Sequence, residues 1–598
     1  MVKNLRKDLA ILKPDKGTGI VVMKLEDYKV NINGLFADEN CFKKVEFDNT
    51  LTRLGTVQRF LNRLSERGEI SVADRDLMRP KFANFGRAHG LPKIHKPYEV
   101  LPKFRPIIDT INTPDYKIGK YLTNLLNPLT LNNHSLKDSF DASASIREIS
   151  PDLLTGGYKF VSFDVVSLFT NVPLLKTVNI ILDRVYDKKL IQTSLTKRSL
   201  KKLILDTCTK TIFSVDGQLH QQIDGVSMGS SLGPVLANVI MTEMEKIVVE
   251  PLLQDGTIAF YKRYVDDTLL LIKPEKLSDV LVSFNSFHPK IKFTSDDFPD
   301  CDIHFLDLKV SSDLLLDIYR KDSFTGQYVR FDSFEPWNYK IGWIRSLYFR
   351  SLKLCSNANL FKKQLDFLDQ LLSWNLYPKY VRKSIFARLE KMYNNQNPVS
   401  PTPEIDTSKD ITTIWFKVPY FGKEGEKLVN RCVRRLKYCF SPDAIVKFRI
   451  SYNTKKLAIF CSNKDKIPLG LKSNCIYEFT CPCCSASYIG KTDRNFDTRV
   501  NEHGTHSKGQ DTVVYQHLQE CTEFKYYVTL LNMPCVSDRS KVKSIDAYIY
   551  HTVRNNTTLI QYNDNWLQLC FLEAYFIKLK KPLLNTGLKA SRDLVLFK

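Results

Sequence analysis

Apolar and polar positions follow two different rhythms along this chain. From about residue 80 to 310, short runs rich in Val, Ile, Phe and Tyr ("KFVSFDVVSLF", "TIFSVDG", "AFYKRYV", "TLLLIKP", "IHFLDLKV") are separated by helical stretches such as "SSLGPVLANVIMTEMEKIVV". That interleaving predicts an α+β domain with antiparallel strands. Farther on, "NLFKKQLDFLDQLLSWNLYPKYVRKSIFARLEKMY" sets Phe361, Leu365, Leu368 and Leu372 on one helical face, which predicts a helical subdomain. Periodicity then stops. Pro, Ser, Thr and Asn dominate "NNQNPVSPTPEIDTSKD", Asn394 to Asp410, which reads as a linker. A basic segment from about 411 to 470 leads into a small α/β unit bearing Cys and His, and no internal repeat is visible.

Length and charge narrow the classes. The chain has 598 residues, enough for several cores, and 87 Lys and Arg against 65 Asp and Glu give a net charge of +22. Such an excess favours a polyanionic partner, nucleic acid or an anionic membrane face. The N-terminal "MVKNLRKDLAILKPDKG" lacks the apolar core of a secretory signal, and no stretch supplies the ~18 apolar residues of a membrane span. A soluble, intracellular protein without membrane contact is expected. Basic runs such as "RCVRRLKY" fit a nuclear site of action, though solvated helix faces look much the same. The 14 cysteines are scattered through a long chain, so buried thiols and one metal site are expected rather than a disulfide scaffold.

The candidate chemistry begins with "FYKRYVDDTLLLI", where Asp266 and Asp267 sit at the tip of a tight hairpin between strand-forming runs. Asp164 ends a third apolar run about a hundred residues earlier, in "KFVSFDVVSLFTNVP". A carboxylate among apolar residues needs a cation. Three acids on neighbouring strands can hold two Mg2+ ions roughly 3.5 to 4 Å apart, the arrangement that activates a 3′-hydroxyl and stabilises leaving pyrophosphate. An Asp pair at a hairpin tip is equally an ordinary surface turn. Between the single acid and the pair lies "QIDGVSMGSSLGPVLANV", whose Gly225, Gly229 and Gly233 offer backbone that a nucleotide and template can approach closely.

The order of these motifs resembles the palm of reverse transcriptases. More narrowly, "ILKPDKGTGIVVM", "GLPKIHKP", "KFRPII", "SFDVVSLFTNVP", "GVSMGSSLGPVLAN", "KRYVDDTLLLI", "FLDLKV" and "YRKDSFTGQYV" are similar to the reverse transcriptase of Penelope-like elements, relatives of telomerase, through most of residues 10 to 340. The resemblance implies that Asp164, Asp266 and Asp267 bind Mg2+, for which Mn2+ can substitute, with Val165 lending its carbonyl. Phe169 would exclude the ribose 2′-hydroxyl and so select dNTPs; packing beneath the palm is its other reading. Arg105 and Lys93 would bind the triphosphate, since fixed cations stabilise the charge of phosphoryl transfer, or stand as solvated charges. Gln222 and the turn at Gly229 would touch incoming nucleotide and template. For "DKG", Asp15 to Gly17, chemistry assigns no role beyond a capping turn. Helices from about 341 to 393 fall where a thumb grips the duplex, their Lys and Arg tracking phosphates or keeping the outer face wet.

Near the C-terminus, "NCIYEFTCPCCSASYIGKTDRNFDTRVNEH" holds two β-like runs around a cysteine cluster, then a helical stretch with Arg499 and His503 on one face. "WLQLCFLEAYFIKLKKPLLN" buries Glu573 among apolar neighbours, where a metal or cationic partner is expected. These segments resemble a GIY-YIG endonuclease over roughly 473 to 590. The resemblance implies that Tyr477 and Tyr488 are the motif tyrosines, Gly490 permits close backbone approach, Arg499 stabilises phosphorane-like charge and His503 assists proton transfer. Glu573 would bind one Mg2+ and Asn585 orient the site. Cys475 stands where the motif has Gly, a strained position if φ there had to be positive. The tyrosines have a simpler reading as cross-strand packing, and Arg499 with His503 as a solvated helix face. Cys481, Cys484, His517 and Cys521 have the spacing of a Zn2+ site; Cys483 is an alternative thiolate, and His506 an alternative to His517 or Cys521.

The expected architecture is multidomain α+β. A right-hand reverse transcriptase comprises fingers and palm (1–310) and a helical thumb (311–393). A linker and basic connecting region (394–470) leads to a small α/β GIY-YIG endonuclease with a zinc-finger-like insertion (471–598). The implied activity is target-primed reverse transcription, with element RNA as template, target DNA and its primer 3′ end, and dNTPs as partners. Telomere-like extension without a productive nick, or an inert nucleic-acid-binding remnant, are the rivals.

Overall fold

The computed structural model describes residues 8–17, 19–296, 302–394, 412–436, 446–453, 463–506, 511–532 and 544–585. At the N-terminal end β1 (Leu9–Leu12) and β2 (Val21–Lys24) pair as an antiparallel ribbon. The next strands are β3 (Phe42–Val45), β4 (Gly86–Pro92), β5 (Phe104–Asp109), β6 (Lys159–Val165), β7 (Ile212–Val215) and β8 (Gln218–Gln222). All but β6 form one sheet, ordered β3-β8-β7-β4-β5, with β4 and β7 parallel. Strand β6 instead joins β9 (Ile258–Tyr264), β10 (Asp267–Ile272) and β11 (Phe293–Asp296) in the antiparallel sheet β11-β6-β10-β9.

This second sheet positions the acids. Strand β10 lies between β6 and β9, so both its edges are bonded. Thr268 through Ile272 are all buried, which is why the run reads as continuously apolar rather than alternating. Register on β6 is thereby fixed, since a slip of one residue would turn every side chain to the other face. The largest core packs this sheet against the helices Leu174–Leu182 and Gly233–Met244; the latter starts with Pro234 in its first turn, where a missing N–H costs nothing.

The run "IHFLDLKV" is not one strand. It turns at Leu306 (φ +57°) into β12 (Ile303–Phe305) and β13 (Leu308–Val310), extended by β14 (Leu316–Ile318). The helical subdomain follows as Trp337–Leu354, Ala358–Trp374 and Lys379–Asn394, with Leu368 and Leu372 buried and Phe361 and Leu365 partly so. Among the described residues no helix is long and apolar enough to cross a membrane. Most of the expected linker lies outside the described residues.

The basic segment beyond it is a β-α-β unit that periodicity did not reveal. Strands β15 (Thr412–Pro419) and β16 (Val446–Asn453) run parallel, with the helix Gly422–Leu436 between them in sequence. Tyr452 exchanges backbone bonds with the Tyr339 hydroxyl of the helical subdomain, 2.9 Å from its N–H and 3.3 Å to its carbonyl. The C-terminal unit is a three-stranded antiparallel sheet, β18-β17-β19, from β17 (Cys475–Thr480), β18 (Ser487–Thr492) and β19 (Thr557–Tyr562), with helices packed around it.

Candidate functional site

Asp267 opens β10 and stands directly opposite Asp164 on β6 and opposite Tyr264 on β9. Only Val265 and Asp266 remain to make the turn, so three carboxylates gather at one end of the sheet. Val265 turns with φ +56°, a left-handed conformation that costs a β-branched residue roughly 1–3 kcal/mol. What holds it is Arg263, whose side chain is wholly buried. Its Nη1 donates to the Val265 carbonyl at 3.1 Å and to Asn238 Oδ1 at 2.9 Å, while its Nε and Nη2 reach Glu245 at 2.5 and 3.3 Å. Glu245 also accepts from Asn132 at 2.6 Å and from the Tyr261 hydroxyl at 3.2 Å. It sits where the helix Gly233–Met244 widens into a π turn, Glu245–Val249. Sequence reasoning missed this pair, although an acid inside "VIMTEMEKIVV" and an inward-facing Arg on β9 were its visible signs.

Burial, then the charges of Asp266 and Asp164, push the Asp267 carboxyl up to about 6; Lys16 and Lys321 pull it back. Crowded, hard oxygen donors of this kind fit Mg2+. Val165 lies opposite Phe293 with its side chain in the core. Phe169 is half-buried and packs on the largest core, its carbonyl accepting from Val226 N at 2.9 Å. Arg105 Nε is 2.9 Å from Asp15 Oδ1. Burial, and then Arg105, Lys96 and Lys16, hold the neighbouring Lys93 below its usual value.

The structure gives the glycine-rich turn a packing reason of its own. Gly229 has φ +119°, and a Cβ there would lie 2.2 Å from the Ile108 carbonyl oxygen; at Gly225 the clash would be with Thr170 O at 2.3 Å. Protein backbone is what a Cβ at these glycines would strike: their absence of a side chain docks the turn onto β5 and onto the segment after β6. Gln222 is likewise turned inward, 3 % exposed, its Nε2 donating to Asp224 O at 3.0 Å, so as placed it braces its own turn rather than facing the cleft.

In the C-terminal unit β17 and β18 pair with Tyr477 opposite Gly490. A Cβ on Gly490 would lie 2.5 Å from the Tyr477 hydroxyl oxygen, so the close approach there belongs to the tyrosine. That hydroxyl accepts from Arg499 Nε at 3.0 Å and lies 2.7 Å from His503 Nε2. Burial, and then the Arg499 charge, bring His503 down to about 3, so a neutral imidazole accepts from the tyrosine. Tyr488 stacks its edge near His503, ring centroids 5.5 Å apart. Cys475 lies in extended β17 and is not among the residues with positive φ, so cysteine fits the motif position without strain; Asn474 just before it takes the left-handed turn (φ +52°). Glu573 has the cationic partner that its burial demanded, Lys491 Nζ at 2.6 Å. Asn585 caps the free edge of β18, bonding both the N–H and the carbonyl of Ile489 at 2.9 and 2.8 Å.

Cys481, Cys484, His517 and Cys521 bring their ligand atoms within 4.8 Å of one another. One imidazole and three thiolates at that spacing fit tetrahedral Zn2+, with Zn–S of about 2.3 Å. The alternative His506 is engaged elsewhere, on Asp511 at 3.0 Å. The unit is also tied to the loop before β4: Asn495, wholly buried, donates to Ala83 O at 2.8 Å and Leu471 O at 2.7 Å and accepts from Ala83 N at 3.1 Å.

Residues 94–294 match the family model described as reverse transcriptase (RNA-dependent DNA polymerase), and residues 327–387 match an animal helix-turn-helix domain. The chain therefore carries a reverse transcriptase domain in a mixed α/β frame. No curated protein matches it. Among solved structures it is similar to telomerase from Candida albicans in complex with a fragment of telomeric RNA, at 14 % identity over 65 % of each chain with a TM-score of 0.42. It is also similar to apo telomerase from Candida tropicalis (14 %, 65 % of this chain and 68 % of that one, TM-score 0.38) and to a Sicinivirus RNA-dependent RNA polymerase (11 %, 62 % and 89 %, TM-score 0.34). The chain thus spans a little under two thirds of the Candida albicans protein.

Proposed function

We propose that this chain is the RNA-directed DNA polymerase of a Penelope-like retroelement, which nicks target DNA with its C-terminal unit and extends the exposed 3′ end by copying element RNA in the nucleus. The observation that carries the polymerase half is the register that sets Asp164 opposite Asp267, one residue from Asp266 at the hairpin tip. Bound there, two Mg2+ ions would supply Lewis acidity to the attacking 3′-hydroxyl and the leaving pyrophosphate. Arg105 and Lys93 hold the charge of the triphosphate, and the half-buried ring of Phe169 crowds the ribose 2′ position. A bond forms between the 3′ oxygen and the α-phosphorus, the bond to the β-phosphate oxygen breaks, and the hydroxyl proton leaves to solvent.

The nicking half rests on the Arg499, Tyr477 and His503 chain, in which a neutral imidazole is ready to take a proton passed through the tyrosine hydroxyl. Arg499 would face the phosphate under attack. Glu573 would hold a divalent ion once Lys491 gives way. That ion pair is the observation favouring a second reading, telomerase-like extension of existing 3′ ends without a nick.

One incubation separates the readings: protein, RNA template, supercoiled plasmid, dNTPs and Mg2+, with Asp266→Ala compared to Glu573→Ala. The first variant nicks but does not synthesise; the second leaves plasmid intact yet extends a supplied primer. Parent protein that extends a supplied primer but never nicks would leave the second reading, and no synthesis in Mg2+ or Mn2+ would end the first.

A further inference from the structure

The palm acids are roofed by two segments far apart in sequence. Residues 13–17 come from between β1 and β2, residues 320–323 from the turn after β14. They touch: a Cβ on Gly17 would lie 3.0 Å from the Ser323 carbonyl oxygen. Burial, and then the nearby Lys16 charge, hold Lys321 below its usual value, and both lysine charges act on Asp267. Asp15 anchors the first segment, donating its N–H to Pro92 O at 3.0 Å.

Two ammonium groups brought close together repel, and here they do not stand alone. Lys93, Lys96 and Arg105 belong to the same cluster, in which the Asp15 carboxylate lies among the cations and Asp267 lies below them. The Asp15 carboxylate is 3 % exposed and pairs with Arg105 Nε at 2.9 Å, which holds the guanidinium in the cluster. An excess of cations gathered from two separate loops, beside acids suited to Mg2+, matches a ligand with several negative charges on a short chain.

We propose that Lys16 and Lys321 form a two-loop clamp on the triphosphate of the incoming nucleotide, closing over the end opposite the reacting α-phosphate. This inference rests on the polymerase reading and adds to Arg105 and Lys93 a second pair of cations. Asp15 is a positioning residue that aims Arg105. The clamp also explains the "DKG" and "YRKD" runs together, since each loop supplies one lysine.

Phosphates of the template or primer backbone share this chemistry, so the test separates the sources. Lys16→Ala, Lys321→Ala and the double variant are assayed for primer extension with varied dNTP, and for primer–template binding without dNTP by fluorescence anisotropy. Each single variant should raise KM for dNTP about tenfold or more with a smaller change in kcat, leave primer–template affinity within about twofold, and weaken competitive inhibition by inorganic tripolyphosphate. Lys16→Arg and Lys321→Arg should keep near-parental KM, which separates loss of charge from loss of fold. An active double variant with parental KM and parental tripolyphosphate inhibition overturns the clamp; so does weakened primer–template binding with unchanged KM, which would assign the lysines to backbone phosphate. If the parent extends no primer, the polymerase reading fails instead, and calorimetric binding of tripolyphosphate to the parent but not to the double variant still decides whether the anion site exists.

Discussion

Replacing Arg263 by Met would separate what holds the Asp266–Asp267 hairpin together from what the proposed polymerase reading asks of it. Arg263 and Glu245 are both wholly buried, and the substitution strands Glu245 with Asn132 and Tyr261 as its remaining donors. An uncompensated buried charge of this kind costs about 3–5 kcal/mol. It also orphans the Val265 carbonyl, whose strained turn Arg263 restrains. Hydrogen exchange of the β9 and β10 amides, read by mass spectrometry, should show protection falling by that amount. Primer extension per folded molecule should fall about a hundredfold, the scale of an ångström-sized misplacement of reacting groups. Removing both charges, Arg263→Met with Glu245→Leu, should restore much of the protection, because the pair is replaced by apolar volume. It should not restore turnover, since nothing then fixes Val265. Unchanged protection in the single variant, or full turnover in the double, would refute the assignment of Arg263 as the brace.

Three further outcomes follow from the geometry. Gly490→Ala forces a methyl to within 2.5 Å of the Tyr477 oxygen, so the β17/β18 pair must shift at a cost of about 1–3 kcal/mol; plasmid nicking should be lost while a supplied primer is still extended. The Asp267 carboxyl titrates at about 6, so its proton competes with Mg2+ below that pH: the Mg2+ concentration for half-maximal extension should rise about tenfold per unit as pH falls below 6 and be flat above it, and Asp224→Asn, away from the acids, should leave the profile unchanged. Elemental analysis should find one Zn2+ per chain, and Cys484→Ser should lose it and loosen the helices Val513–Glu520 and Thr522–Asn532 in hydrogen exchange while extension persists; a variant retaining stoichiometric zinc would remove Cys484 from the site.

Local pattern carried the elements whose meaning is local. The apolar run of β10 marks a strand bonded on both edges, and the acids flanking it could be placed on neighbouring strands because strand and turn are short-range events. Long-range partners were not legible. Nothing near Glu573 in sequence names Lys491, 82 positions away, and nothing near Arg263 names Glu245 on the preceding helix. The glycines show the same limit: sequence registers that a Cβ is forbidden but not what forbids it, and Ile108 and Thr170 are distant in the chain. Segment 412–453 hid its β-α-β order because parallel partners must be found across an intervening helix, and the helix Gly422–Leu436 buries no residue that would have marked an inner face.

Asn495 bonds Ala83 on one side and Leu471 on the other. A side chain placed in this way makes a tethered domain into a mounted one. If the two halves cut and copy as proposed, the distance a severed strand travels between them is a dimension of the scaffold rather than a matter of diffusion. Loosening this one amide should then uncouple the two steps in time while leaving each intact.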